Sequence, residues 1–169
     1  MKNLYYAARG YVLVLFLAVL SVSRFRSDSS IEPLGLTLVF IAAIFRLWSG
    51  FHIGPHSNGI RLQTSPRAVT GPYRWNPHPL YVSNLLAAAG LIVFANSLPM
   101  ISALALWLAV VAHHGILIRW ENAALGSEAN PAQPVGWKTG WARQGRNLAY
   151  SLACVLILLA LAGKFWLAP

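Results

Sequence analysis

The residues most able to do chemistry lie in one run, Gly71-Pro72-Tyr73-Arg74-Trp75-Asn76-Pro77-His78-Pro79-Leu80-Tyr81, and in one later carboxylate, Glu121. An imidazole and a carboxylate brought together can move a proton or hold the polar groups of a ligand. Pro77 and Pro79 fix the backbone on both sides of His78, and Pro79 suits the first turn of a helix. His78 is therefore expected near a helix N-terminus, where an anion or lone pair is favoured. Tyr81 follows three residues later on the same helical face, so the two side chains can address one ligand. Glu121 comes directly after a long apolar run, where a carboxylate is costly unless paired or ligand-bound. Arg74 and Arg119 are the charge partners that the sequence offers it.

The elements that must position these groups follow from composition. Of 169 residues, 57% are apolar and 10% charged, and the acids are Asp28, Glu32, Glu121 and Glu128. A chain this size cannot bury so much apolar surface in one soluble core. Five apolar stretches, roughly residues 5–23, 34–51, 80–97, 98–120 and 148–167, each approach the ~20 residues that a spanning helix needs. Unpaired strand edges are excluded from hydrocarbon, so all five are expected to be helices. The fold class expected is an all-α integral membrane protein of about five transmembrane helices. It forms a single membrane domain over 1–169, with two folded connections at about 51–79 and 121–147. The first stretch is not expected to be a cleaved signal peptide, because it is long and Ser23-Arg24-Phe25-Arg26 provides no small-residue cleavage site.

Charge orients this arrangement. Lys2, Arg9, Arg46, Arg61, Arg67, Arg74, Arg119, Lys138, Arg143 and Arg146 fall on one side of a five-helix layout, and Arg24, Arg26 and Lys164 on the other. The basic side is expected to be cytoplasmic, with the amino terminus and both long connections inside and the carboxy terminus outside, in a bacterial inner membrane. The net charge of +9 reflects that bias and attraction to anionic membrane lipids. The basic residues form no separate soluble module, so no nucleic-acid partner is expected. Cys154 is the one cysteine, which permits neither an internal disulfide nor a thiolate cluster, and no metal centre is expected. Ala95-Asn96-Ser97-Leu98-Pro99 reads as a helical hairpin turn, while Gly35 and Gly90 allow close helix approach. The hairpin would return both long connections to one face. Nothing in the sequence defines an oligomeric state.

At these residues the chain resembles a family. Residues 71–86, GPYRWNPHPLYVSNLL, are similar to the GxYxxxRHPxY signature of the isoprenylcysteine carboxyl methyltransferase and phospholipid methyltransferase group of integral membrane enzymes. Glu121-Asn122-Ala123-Ala124-Leu125 resembles the EExxL element that follows it. The resemblance implies S-adenosyl-L-methionine as cofactor and a lipidic or prenylated acceptor. It implies cofactor contacts from Ser65, Pro66, Arg67, Ala68, Tyr73, His78, Pro79, Leu80, Tyr81 and Glu121, with His78 and Glu121 as catalytic groups. Pro77 stands where the family has arginine, Asn122 where it has a second glutamate, and Arg119 lies two residues from the register of a substrate-binding arginine.

The implied activity is methyl transfer at the cytoplasmic membrane face. Tyr73, Trp75 and Tyr81 could attract a sulfonium through their ring faces, worth about 0.5–2 kcal/mol each when desolvated. A carboxylate acceptor would need no base, whereas an amine would need His78 or Glu121. Two other readings stand beside this one. The first is a catalytically degenerate homologue that binds lipid or a partner. The second is a haem-binding membrane protein using histidines among His52, His56, His78, His113 and His114, although adjacent histidines point about 100° apart on a helix.

Overall fold

The computed structural model describes residues 32–53, 67–96, 98–124 and 129–130, together with isolated helical positions between 12 and 20 and between 138 and 156. Within these residues the regular elements are helices apart from two strands of two residues each. Helix α1 spans Glu32–His52, α2 spans Pro79–Ala95 and α3 spans Met100–Ala124. A 3-10 helix, Gly71–Arg74, precedes α2, and strands β1, Arg67–Ala68, and β2, Ala129–Asn130, flank the α2–α3 pair in sequence. The second, third and fourth expected helices are thus present. The first and fifth fall largely outside the described residues, as do Ser65, Pro66, His56 and Cys154.

Two helices, Pro33–His52 and Met100–Ala124, are long and apolar enough to cross a bilayer, while Pro79–Ala95 is apolar but shorter. Their outward faces carry large exposed apolar side chains: Leu36, Phe40 and Ile44 on α1, and Ile101, Leu104 and Leu108 on α3. Contiguous apolar surface of this kind is costly in water and natural against lipid. Helix α2 is enclosed instead, with Ala88, Leu91, Ile92, Phe94 and Ala95 buried. They pack with Val110 of α3 and with Phe16 and Leu20, two helical positions one turn apart.

Helices α1 and α2 touch backbone to backbone. A Cβ built on Gly35 would collide with the Phe94 backbone and the Gly90 carbonyl, and one on Gly90 would meet the Gly35 carbonyl and Val39. Both positions require glycine for that reason. Helix α2 ends where Asn96 takes the left-handed conformation, φ 43°, and its N–H bonds back to the Ile92 carbonyl. Pro99 then leads into α3, and the Trp107 indole donates to the Leu85 carbonyl at 3.3 Å to pin the hairpin. Helix α3 runs past the expected end at Trp120 and carries Glu121 and Asn122 in its last turn. An acid there opposes the helix dipole. Partners for both side chains on α2 and its N-cap, together with the helix-favouring Ala123 and Ala124, offset that cost.

Candidate functional site

His78 is the N-cap residue of α2, and its side chain makes no capping bond. Its backbone N–H is satisfied by Asn76 Oδ1 at 2.7 Å, and its carbonyl accepts from the Tyr81 and Val82 amides. With the backbone held by an Asx turn and two prolines, the imidazole is free to leave the helix and reach α3.

There His78 Nδ1 lies 3.3 Å from Glu121 Oε2, and the Tyr81 hydroxyl donates to Glu121 Oε1 at 2.5 Å. The His78 and Tyr81 rings stack with centroids 5.8 Å apart. The expected one-turn spacing therefore does place both residues on one carboxylate. His78 Nε2 meets Asn122 Oδ1 at 2.9 Å. Asn122 serves either ring tautomer, because turning its amide over presents an N–H in place of the oxygen. Glu121 is thus held by His78 and Tyr81, where sequence had offered Arg74 and Arg119. Both of those arginines are exposed.

A second polar chain, not anticipated from sequence, crosses all three helices. Arg46 Nη1 of α1 donates to Asn84 Oδ1 of α2 at 2.5 Å, and Asn84 Nδ2 donates to His114 Nε2 of α3 at 3.2 Å. His114 Nδ1–H donates to the Val110 carbonyl at 2.9 Å. Both nitrogens of His114 are engaged, which leaves neither for an axial iron bond. Its ring also stands at 90° to that of His113. Among the described residues no group of three His, Cys, Asp or Glu is placed to hold a metal ion. The two polar chains touch where the Tyr81 ring meets the His114 ring edge-on at 5.3 Å. An arginine in an apolar helix, and Asn84 three residues beyond Tyr81 on its face, were the signals available for this second chain.

Tyr73 is buried in the 3-10 helix. Burial pushes its phenol well above the usual tyrosine range, with the Arg46 charge opposing and the Glu121 charge adding to the shift. Its hydroxyl is buried without a hydrogen-bond partner. The 3-10 helix is clamped to the end of α1. Gly71, at φ +56°, lies so close to the His52 ring that a Cβ would collide with it, and His52 Nδ1 is 3.1 Å from Thr70 Oγ1. Trp75 packs edge-on against Trp48 and is otherwise exposed.

The remaining expected contacts divide. Pro79 is fully buried at the start of α2 and Leu80 is half-buried beside it. Arg67 and Ala68 pair in parallel with Ala129 and Asn130. This pairing joins the segment before the histidine motif to the segment after Glu121, so the two long connections meet on one face, as the hairpin requires.

No family model matches the chain, and no solved structure matches it. Over 121 residues it is 37% identical to the cobalt-zinc-cadmium resistance protein CzcN of Cupriavidus metallidurans, an alignment covering 69% of this chain and 52% of that protein. The chain spans about half the length of this curated relative.

Proposed function

We propose that this protein is an S-adenosyl-L-methionine-dependent methyltransferase of the membrane, acting on a lipidic or prenylated acceptor at the cytoplasmic face. The observation that carries this reading is the joining of His78 and Tyr81 to Glu121, across 40 positions in the case of Tyr81. These are the residues of the two motifs that resemble the methyltransferase group. The side chains suit the cofactor: Glu121 is a carboxylate with 20% of its side chain exposed, Tyr81 an aromatic face beside it, and Tyr73 a buried hydroxyl in want of an acceptor.

The cofactor supplies a methyl group already activated on a sulfonium. The chain's own residues would bind, orient and exclude water. Glu121 would hold ribose hydroxyls or an ammonium group, and the Tyr73 and Tyr81 rings would favour a cation. With an amine acceptor, a base would be needed, and His78 and Glu121 are the groups placed to serve. Placing two reactants in line within a dry pocket accounts for most of the remaining acceleration. The membrane setting is a five-span layout with both long connections cytoplasmic. A reporter after Pro169 should then read extracytoplasmic and one near Gly136 cytoplasmic.

The deciding experiment is equilibrium binding of S-adenosyl-L-methionine to detergent-purified protein, followed by radiolabelled methyl transfer into membrane lipids. Folded protein with no affinity at millimolar cofactor would overturn the proposal.

A second reading draws on the name of the CzcN relative. It gives this protein a part in resistance to cobalt, zinc or cadmium. A deletion strain of the source organism should then grow poorly in those metals and recover with the wild-type gene. Equal recovery with Glu121→Gln would favour a non-catalytic membrane role over methyl transfer.

A further inference from the structure

We propose that Trp48, Trp75 and Arg74 form a docking surface for an anionic phospholipid headgroup, which holds the His78–Glu121 cluster at the depth of the membrane interface. The inference rests on the membrane setting of the proposal above and on no particular reaction. Trp75 ends the 3-10 helix and is 77% exposed, although its ring packs on Trp48 of α1 with centroids 5.5 Å apart. The loop is held to the helix at its other end, because Gly71 lies against the His52 ring and Thr70 Oγ1 is 3.1 Å from His52 Nδ1. Trp48 is steadied in turn by Phe45, edge-on at 5.9 Å. Two indoles are thus fixed side by side and open to their surroundings, an arrangement costly in water.

The register of α1 against α2 gives the depth of this pair. Gly35 meets Phe94, Val39 meets Gly90 and Arg46 meets Asn84, so each step forward on α1 matches one step back on α2. The same register carries Trp48 to the level of Tyr81, whose hydroxyl holds Glu121. The 20 residues Pro33–His52 are of spanning character, and at the helical rise they match the ~30 Å of a hydrocarbon core. Trp48 and Trp75 therefore stand about one turn inside the end of the span, where tryptophans meet the headgroup boundary. Ile44 and Phe40, one and two turns below Trp48 and exposed, continue the surface into the acyl region. Arg74, exposed beside Trp75, complements the negative charge of a headgroup such as phosphatidylglycerol. Continuity with the lipid-facing stripe of α1, together with this charge, selects an anionic lipid as the occupant. The His78–Glu121 cluster then opens at headgroup height.

The test uses full-length protein in phospholipid vesicles, with the Trp75 emission obtained as the difference between wild type and Trp75→Phe. If Trp75→Phe does not fold, Trp75→Tyr supplies the same difference. Lipids brominated high on the acyl chain should quench this emission, and aqueous iodide should leave it unchanged. At equal low mole fraction, brominated phosphatidylglycerol should associate about fivefold more strongly than brominated phosphatidylcholine, the scale of one arginine at an anionic surface. Arg74→Gln should remove most of that preference, and Arg74→Lys should keep it. Quenching by iodide and not by lipid would place Trp75 in water and overturn the surface. Quenching by neither would mean that a second copy covers Trp75, which overturns the lipid as occupant. Equal quenching by the two lipids on wild type, or the full preference surviving in Arg74→Gln, would overturn headgroup recognition. Carbonate extraction, scored first, separates the two failures: protein stripped from the vesicles removes the membrane setting and this surface together, whereas retained protein with Trp75 open to iodide removes the surface alone.

Discussion

The Tyr81 hydroxyl donates to the Glu121 carboxylate at 2.5 Å, tying the first turn of α2 to the last turn of α3. Glu121 sits at the end of a helix whose dipole disfavours it, so this bond and the His78 contact keep the carboxylate in place. If the carboxylate serves the cofactor, Tyr81→Phe should weaken S-adenosyl-L-methionine binding by about 1–2 kcal/mol, and His78→Ala or Glu121→Gln by about 1–3 kcal/mol. Isothermal titration on the detergent-solubilised variants measures each. Unchanged affinity in all three would separate this cluster from the cofactor.

Tyr73 makes stability depend on alkaline pH. Folding raises its phenol above the ordinary 10.0, so the folded chain keeps this proton when the unfolded chain has lost it. Its contribution is complete below pH 10 and declines as pH rises beyond, at about 1.4 kcal/mol per unit for one proton. Thermal melts from pH 9 to 11 should show a steeper decline for wild type than for Tyr73→Phe. Parallel curves would mean that Tyr73 is not buried in the folded protein.

The glycines separate packing from propensity. Gly35→Ala and Gly90→Ala each drive a methyl group into the backbone of the opposing helix and should destabilise by about 1–3 kcal/mol. Gly115→Ala meets nothing within 4 Å and should be neutral, or stabilising by up to about 1 kcal/mol through helix propensity. Melting temperatures of the three variants should fall into those two groups.

The β1–β2 pairing predicts a crosslink. Cysteines at Ala68 and Asn130, partners in the parallel register, should form a disulfide under mild oxidation in a Cys154→Ala background. A mass shift on reduction detects it. No bond under any oxidant would mean that the two long connections do not meet in this register.

Much of the layout is legible along the chain because it is local. Apolar stretches of spanning length announce α1 and α3, Pro79 announces the start of α2, and the Asn96 turn announces its end. The one-turn spacing of His78 and Tyr81 follows from helical geometry alone. The extension of α3 through Asn122 was less legible, because the contacts that stabilise its last turn come from residues about 40 positions earlier.

The sequence by itself determined which groups are available: one histidine between two prolines, a lone carboxylate after an apolar run, and glycines at Gly35 and Gly90 that permit close approach. Only the tertiary structure decided how they combine. Arg46, Asn84 and His114 join because α1, α2 and α3 are rotated so that these three positions face one another. Relative rotation depends on side-chain packing along the whole contact, including the glycine seam between α1 and α2, and periodicity within one helix does not encode it. The same packing buries the Tyr73 hydroxyl, a fate that its place in the motif does not reveal.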